Sequence, residues 1–334
     1  MKLLIYQTLS HDPHLNLAFE SYLLDTAPAD AHILYLWQNS SVIVIGRSQN
    51  PWLECHTEKM TVDNIQLARR PTGGGAVYHD LGNTNFSFIS PKHSENKDNN
   101  FKIILSALAK LNIHAHCAGR NDLHIETDEG YKKISGSAFY NNKTHHLHHG
   151  TLLINASIDK LTHYLNPSKK KLIAKGITSV KSRVTNLINI NQSINHENLS
   201  LAIINSFQHL YSNTAQRQKI DLKSIDHYPH LSTLYHHYKS WEWCYGKTLS
   251  FTHAFERKLS FGLFSIQLIV KNAQIQDAEV YSDALNTDIV DYIKSCLIFS
   301  PYSASTISAT FSPLAQIFPQ EAQELSDWFT HELQ

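Results

Sequence analysis

Arg69-Arg70-Pro71-Thr72-Gly73-Gly74-Gly75-Ala76-Val77-Tyr78-His79-Asp80-Leu81-Gly82-Asn83 leads into Asn85-Phe86-Ser87-Phe88-Ile89. Three consecutive glycines carry no Cβ, so this backbone can take positive φ and lie against a ligand. Arg69 and Arg70 precede it, and a guanidinium holds a phosphate or carboxylate with two parallel hydrogen bonds. The alternation from Asn85 to Ile89 is that of a strand, which sets the glycines at a sheet rim rather than in a linker. The plain alternative is a glycine-rich turn with a solvated basic pair. Two arginines before the loop and a strand after it favour an anion-binding loop.

Outward from this loop, short strands dominate. Asp12-Pro13 starts a helix, with Asp as cap and Pro at the first helical position. Leu15, Ala18, Phe19, Tyr22 and Leu23 then recur at helical spacing, and Glu20 falls at the edge of that stripe, a solvated helix residue in its plain reading. Ile33-Leu34-Tyr35-Leu36-Trp37 and Val42-Ile43-Val44-Ile45 flank Gln38-Asn39-Ser40-Ser41, a hairpin pattern. Ser94 to Asn100 reads as a polar surface loop before a helix carrying Phe101, Ile104, Leu105, Leu108 and Leu111. Two runs, Asn121 to Ile125 and Lys132 to Ala138, surround a turn at Asp128-Glu129-Gly130, which brings Asp122 and Lys133 together. Thr151 to Ile154 is another strand, and Leu199 to Leu210 another helix. The pattern predicts an α+β domain on a mixed or antiparallel sheet.

A second unit begins near Ser240-Trp241-Glu242-Trp243-Cys244-Tyr245-Gly246. Strands at Leu263 to Val270 and Ile275 to Tyr281 and helices at Asp288 to Leu297 and Glu321 to Leu333 make a final domain of about ninety residues. At 334 residues and 42% hydrophobic content the chain suffices for two cores. Its formal charge of +0 argues against a nucleic-acid partner held by a generally basic surface. Cys55, Cys117, Cys244 and Cys296 form no CxxC pair and suggest neither a zinc site nor a disulfide framework. No run approaches ~18 apolar residues, and Met1 to Tyr6 is too short an apolar run for a signal peptide, so the expectation is a soluble cytoplasmic protein. His145-His146-Leu147-His148-His149 lacks the partners that would complete a tetrahedral metal shell. The basic stretch from Asn166 to Arg183 is either a solvated loop or a segment that closes over a ligand.

A lysine amid Ser135, Gly136, Ser137 and Ala138 has room for a ligand, and its ammonium would stabilise a phosphoryl transition state. Taken alone, Lys133 reads as a strand lysine like Lys132. In series the motifs say more. Asn16-Leu17-Ala18, Gly46-Arg47 through Gln49-Asn50-Pro51-Trp52, Arg69 to Asn83, Gly119-Arg120-Asn121-Asp122, Lys133 to Ala138, His148 to Leu153 and Lys175-Gly176-Ile177-Thr178-Ser179-Val180 occur in an order that resembles the lipoate-protein ligase A family, in its long bacterial form. The resemblance implies a class II synthetase/biotin-lipoate ligase type of sheet domain, with a catalytic lipoate- and ATP-binding domain over 1–244 and a small α+β accessory domain over 245–334. It implies two steps: Mg-ATP activates free lipoate to lipoyl-AMP, and the lipoyl group passes to a lysine of an acceptor lipoyl domain, on 2-oxoacid dehydrogenase E2 subunits or the glycine-cleavage H protein. Octanoate stays open as the acid. A monomer without nucleic-acid or membrane partners follows from the same resemblance.

By position, the resemblance makes Lys133 the catalytic residue, touching the α-phosphate and the lipoyl carbonyl. Arg70, Gly75, Ala76, Val77, Tyr78, Asn83, Asn121, Asp122, Ala138 and Thr151 join it on the ATP and adenylate side. Leu17, Trp37, Val44, Gly73, Gly74, His79 and His149, with Arg70 and Lys133, form the lipoate side. Asp122 is the candidate for meeting Mg²⁺ through the phosphates, and Asn166 to Arg183 corresponds to the segment that closes over the adenylate. Leu17, Trp37 and Val44 equally suit an ordinary core. Tyr140 stands where arginine is expected and Tyr78 where phenylalanine is common. Three rivals exist. A transferase of the same fold would need a cysteine beside the lysine, and Cys117, the nearest in sequence, reads as a small buried residue. A non-catalytic nucleotide sensor would not need Lys133. A biotin ligase would carry a Gly-Arg-Gly-Arg type of signature, which is absent.

Overall fold

The computed structural model describes the chain apart from residues 48, 95–96, 120, 167–183, 221–224, 226, 247–250, 283, 285, 287 and 334. Arg120, nearly all of the basic segment from Asn166 to Arg183 and the whole Lys175 to Val180 motif therefore lie outside the described residues. Two compact units divide the chain: Met1–Arg47 with Lys59–Ser240, and Ser48–Glu58 with Trp241–Gln334. The membership of 48–58 in the second unit is something a linear boundary at 244/245 does not express.

In the first unit, eight strands form one mixed sheet in the order β11-β1-β2-β6-β10-β9-β8-β7. These are β1 (Lys2–Thr8), β2 (Ala31–Trp37), β6 (Asn83–Pro91), β7 (Ala115–Ala118), β8 (Asp122–Thr127), β9 (Gly130–Asn141), β10 (His145–Leu153) and β11 (Gln216–Ile220). Pairing is parallel across β11, β1 and β2 and antiparallel from there on. A small second sheet orders β4 (Gln66–Arg69), β3 (Val42–Ile45) and β5 (Val77–His79) as β4-β3-β5. The expected hairpin of residues 33–37 with 42–45 does not form: β2 pairs with β1 and β6, and β3 pairs with β4 and β5. Both segments are apolar enough to be central strands, and each finds two partners elsewhere. The hairpin of β8 and β9 does form, closing at Thr127 and Gly130.

Side chains alternate along a strand, so the central sheet has two faces of different character. Leu34, Leu36, Phe86, Phe88 and Leu152 point to a core completed by Phe101, Ile104 and Leu108 of helix α2 (Lys97–Ala109) and Leu199, Ile203 and Phe207 of α3 (His196–Leu210). Each fully buried side chain of this kind contributes about 1.5–3 kcal/mol. Helix α2 begins at Lys97, within the stretch expected to be loop. The intervening positions, Tyr35, Trp37, Asn85, Ser87, His149 and Thr151, face the other way and carry most of the polar groups of these strands. Helix α1 (Pro13–Thr26) packs near them; Asp12 caps it, accepting from the His14 and Leu15 backbone N–H groups.

The second unit is an antiparallel sheet of β12 (Phe251–Leu259), β13 (Gly262–Lys271) and β14 (Gln274–Ser282), covered by α4 (Asp288–Leu297) and α5 (Pro319–Glu332). Phe264, Ile266, Leu268, Ile293, Trp328 and Phe329 are among its buried residues. Trp52 packs edge-on against Tyr302 at 5.3 Å between ring centres, which explains why 48–58 belongs here. Strand β12 carries three exposed charged residues in succession, Glu256, Arg257 and Lys258, which interrupt its apolar alternation in the sequence.

Candidate active site

A cavity of about 170 Å³ opens in the first unit. Leu17, Trp37, Val44, His79 and His149 line it with Arg70, Gly74, Gly75 and Ala76 of the glycine loop, Val77 at the start of β5, Asn121 in the turn before β8, and the strand residues Lys133, Ala138 and Thr151. Asn85, Gly136, Ser137 and Gly150 complete the wall and were not among the expected site residues. Gly150 is required there, because a Cβ would sit 2.4 Å from the Phe86 ring. Four expected residues stand back from the wall. Gly73 gives its carbonyl to Arg70, and Tyr78 is buried with its hydroxyl on Ser41 at 3.2 Å. Asn83 donates to Asn85 Oδ1, and Asp122 meets Lys133.

Lys133 owes its direction to a β-bulge. The register of β8 against β9 shifts between Leu123 and His124, so that Leu123 pairs with Ser135 and His124 with Lys133. Ile134 is the extra residue, and a bulge re-aims the side chains beside it. The Lys133 ammonium comes to 2.8 Å from Asp122 Oδ1. It passes over Gly136, where a Cβ would lie 2.9 Å from Nζ. The pair is partly open, with 28% of the Lys133 and 19% of the Asp122 side chain exposed, so its worth lies in direction more than in stability.

The two arginines are not the solvated pair of the plain alternative: both are buried. Arg69 is fully buried and donates to the carbonyls of Gly46 and Arg47 at 3.2 and 2.8 Å. Arg70 donates from Nε to Thr72 Oγ1 at 3.0 Å, from Nη1 to the Val44 carbonyl at 3.1 Å, and from Nη2 to the Gly73 and Gly75 carbonyls, both at 2.8 Å. Gly74 between them has φ +98°, in the region glycine tolerates, and a Cβ there would meet Arg70 Nη2 at 2.8 Å. The glycine loop is thus wrapped around the guanidinium. Burial draws the Arg70 pKa down to about 10, with Glu20 opposing, so the group stays charged at neutral pH.

Glu20 is no solvated helix residue: it is 0% exposed. Its carboxylate accepts from Ser87 Oγ at 2.5 Å and meets His149 Nδ1 at 2.9 and 3.0 Å. Trp37 Nε1 donates to the same Ser87 at 3.1 Å, and His149 Nε2 lies 2.9 Å from Thr72 Oγ1. The polar spacing of Ser87 and His149 on adjacent strands, at register in β6 and β10, was the available signal for a buried partner on α1. His79 belongs to another chain of bonds. Asn16 donates to the Ser10 and Gln38 carbonyls and to Asn39 Oδ1, and Asn39 Nδ2 faces His79 Nδ1 at 3.2 Å. Burial, then the charges of Arg70 and His149, hold His79 down to about 3, so it is neutral at physiological pH.

Residues 12–208 match the family model described as the lipoyl protein ligase A/B catalytic domain, and residues 248–329 match the bacterial lipoate protein ligase C-terminus. A lipoate-protein ligase A of Psychrobacter cryohalolentis is 45% identical, with all of both chains covered. The chain belongs to the lipoate-protein ligase A family. Among solved structures of this family, P. falciparum LipL1 in complex with lipoate shares 35% identity over 98% of this chain and 99% of that one, with a TM-score of 0.66. A bipartite lipoate protein ligase of Thermoplasma acidophilum, studied with its E2 lipoyl domain, shares 25% identity over 75% of this chain and 99% of its own, with a TM-score of 0.65. The α+β reading and the resemblance therefore stand. Cys117, expected in a buried connection, is exposed on β7 and is not part of the cavity wall. Its thiol pKa is raised, first by burial and then by Asp98, the opposite of activation. Among the described residues no helix is long and apolar enough to cross a membrane.

Proposed function

We propose that this enzyme, an ATP-dependent lipoate-protein ligase, carries out both half-reactions at the cavity that Lys133 enters. In the first, a lipoate carboxylate oxygen attacks the α-phosphorus of ATP; the bond to the bridging oxygen breaks, and pyrophosphate leaves with lipoyl-AMP formed. In the second, the amine of an acceptor lysine attacks the lipoyl carbonyl, the C–O bond to AMP breaks, and the amide forms with loss of a proton. The observation that carries this reading is the meeting, in one cavity, of a directed ammonium with an apolar slot. Lys133, steered by Asp122 and the bulge, reaches the wall that Leu17, Trp37 and Val44 also line. Its charge suits the oxygens around the reacting phosphorus in step one and the carbonyl oxygen in step two.

Arg70 enters this reading as the frame of the phosphate loop, since four of its donor contacts are spent on its own chain. Asn121 and Thr151 supply further polar groups at the nucleotide side, and the apolar slot takes the acyl tail, lipoate or octanoate. Asp122 is committed to Lys133, and among the described residues no group of three or more His, Cys, Asp or Glu is placed to hold a metal. Mg²⁺, which neutralises phosphate charge when bound, then comes with the ATP phosphates rather than to a protein cage. The acceptors are apo lipoyl domains of E2 subunits and the glycine-cleavage H protein, and the setting is the cytoplasm, with the enzyme a monomer.

Incubation of the protein with lipoate, Mg-ATP and an apo lipoyl domain tests this reading by mass spectrometry. A gain of one lipoyl group on a single acceptor lysine, dependent on ATP, is the expected result; no gain, or gain without ATP, rejects it.

A further inference from the structure

Three buried side chains link α1 to the glycine loop. The fully buried Glu20 takes a hydrogen bond from His149 Nδ1–H, at 2.9 Å. A carboxylate only accepts, so His149 donates to it from Nδ1. Thr72 Oγ1 lies 2.9 Å from the other ring nitrogen, Nε2, and accepts from Arg70 Nε–H at 3.0 Å. Arg70 in turn clamps the Gly73 and Gly75 carbonyls. Each link fixes the place of the next. Phosphate chemistry needs the last of them and not the first.

We propose that Glu20 is a positioning residue for acyl-adenylate formation, acting through His149 and Thr72 to hold Arg70 and the glycine loop in register. The proposal rests on the reading of that loop as the phosphate side of the cavity. Glu20 touches neither substrate in this role. It also anchors Trp37 through Ser87, so one carboxylate steadies both the acyl slot and the nucleotide loop. The groups that face His149 along this path are Glu20 and Thr72, with Arg70 beyond the threonine and the neutral His79 also in the cavity wall. Glu20 and Arg70 are thus the ends of one buried chain, with His149 and Thr72 between them.

Glu20→Gln keeps the shape but replaces the charge and one acceptor with an amide donor, which removes the constraint on His149. Thr72→Val removes the relay hydroxyl, and Thr72→Ser restores it. The assay is lipoate-dependent pyrophosphate release, with ATP affinity from calorimetry and a thermal melt on each variant. Expected are losses of about 10²-fold in kcat/KM for ATP in Glu20→Gln and in Thr72→Val, as for a reacting group displaced by about 1 Å, and activity within about threefold of wild type in Thr72→Ser. The double variant Glu20→Gln/Thr72→Val should be no worse than the poorer single, because both cut one chain. Multiplicative losses near 10⁴-fold, or equal activity of Thr72→Ser and Thr72→Val, overturn the proposal. If Glu20→Gln melts early, the Thr72 pair decides alone by the same criterion. If wild type releases no pyrophosphate, the functional reading fails first, and the calorimetric ATP affinities of the same variants still decide whether Glu20 and Thr72 act as one chain.

Discussion

Gly46→Ala probes how closely the glycine loop must be placed. Gly46 follows β3, and an ideal Cβ there would stand 2.4 Å from the Gly74 carbonyl oxygen and 3.2 Å from the Gly73 carbonyl carbon. Ordinary van der Waals contact begins at 3.4 Å, so the loop must retreat by about 1 Å, enough to cost a positioned reaction about 10²-fold. That is about 2.7 kcal/mol on the barrier. The obstacle is backbone, not the end of a flexible side chain, and Arg70 ties that backbone at both Gly73 and Gly75, so the methyl cannot be absorbed by a rotamer change. The φ at Gly46 is not positive, so the local backbone accepts alanine, and any cost to folding comes from moving the loop rather than from the conformation at residue 46. Pyrophosphate release at saturating lipoate and ATP, together with a thermal melt, separates the two effects. A variant that melts like wild type and turns over within twofold of it would refute the close-placement argument.

Two further outcomes concern the buried histidines. His148 sits among Phe86, Phe88, Phe101 and Phe139, 4.4 Å from the last ring, and neither ring nitrogen has a hydrogen-bond partner among the described residues. An unsatisfied buried polar group costs about 1–3 kcal/mol. His148→Leu, close in volume, should raise the free energy of unfolding in denaturant by about 1 kcal/mol or more; a loss would mean that the imidazole earns its place in some other way. Acid should also destabilise the protein. Burial is the first cause holding His79 down to about 3 and His148 well below 6.5. The unfolded chain takes up these protons below about pH 6.5 while the native state does not, so stability falls with falling pH by about 1.4 kcal/mol per unit for each histidine. Denaturant melts at pH 7, 6 and 5 check this, and a flat profile contradicts it. In His148→Leu the slope should be shallower than in wild type, with His79, His196 and the other depressed histidines carrying the remainder.

The α+β class, the hairpin of β8 and β9, and the meeting of Asp122 with Lys133 were legible because each depends on neighbours close in sequence. The turn at Asp128 to Gly130 dictates which residues face each other. Pairing over longer distances was not legible: residues 33–37 and 42–45 look like one hairpin, but their strands belong to different sheets. The burial of Glu20 was not legible because α1 is buried on more than one side, so the apolar stripe did not mark the limit of its contact surface. Arginine identity suggested an anion at Arg70, whereas its nearest acceptors are the carbonyls of the loop that follows it. Cys117 followed a helix in sequence, which hid its exposed place on a sheet-edge strand. Residue type announced the chemistry in these cases; only tertiary contacts assigned the partner.

The most direct measurement of the central claim is lipoate-dependent exchange of labelled pyrophosphate into ATP, with wild type and Lys133→Ala side by side. Loss of one preorganised charge at a reacting centre costs about 10²–10³-fold. Wild-type exchange that requires lipoate, reduced by that factor in a Lys133→Ala protein with an unchanged melt, is the predicted result. No exchange by wild type would contradict the account, and full exchange by the variant would take Lys133 out of it.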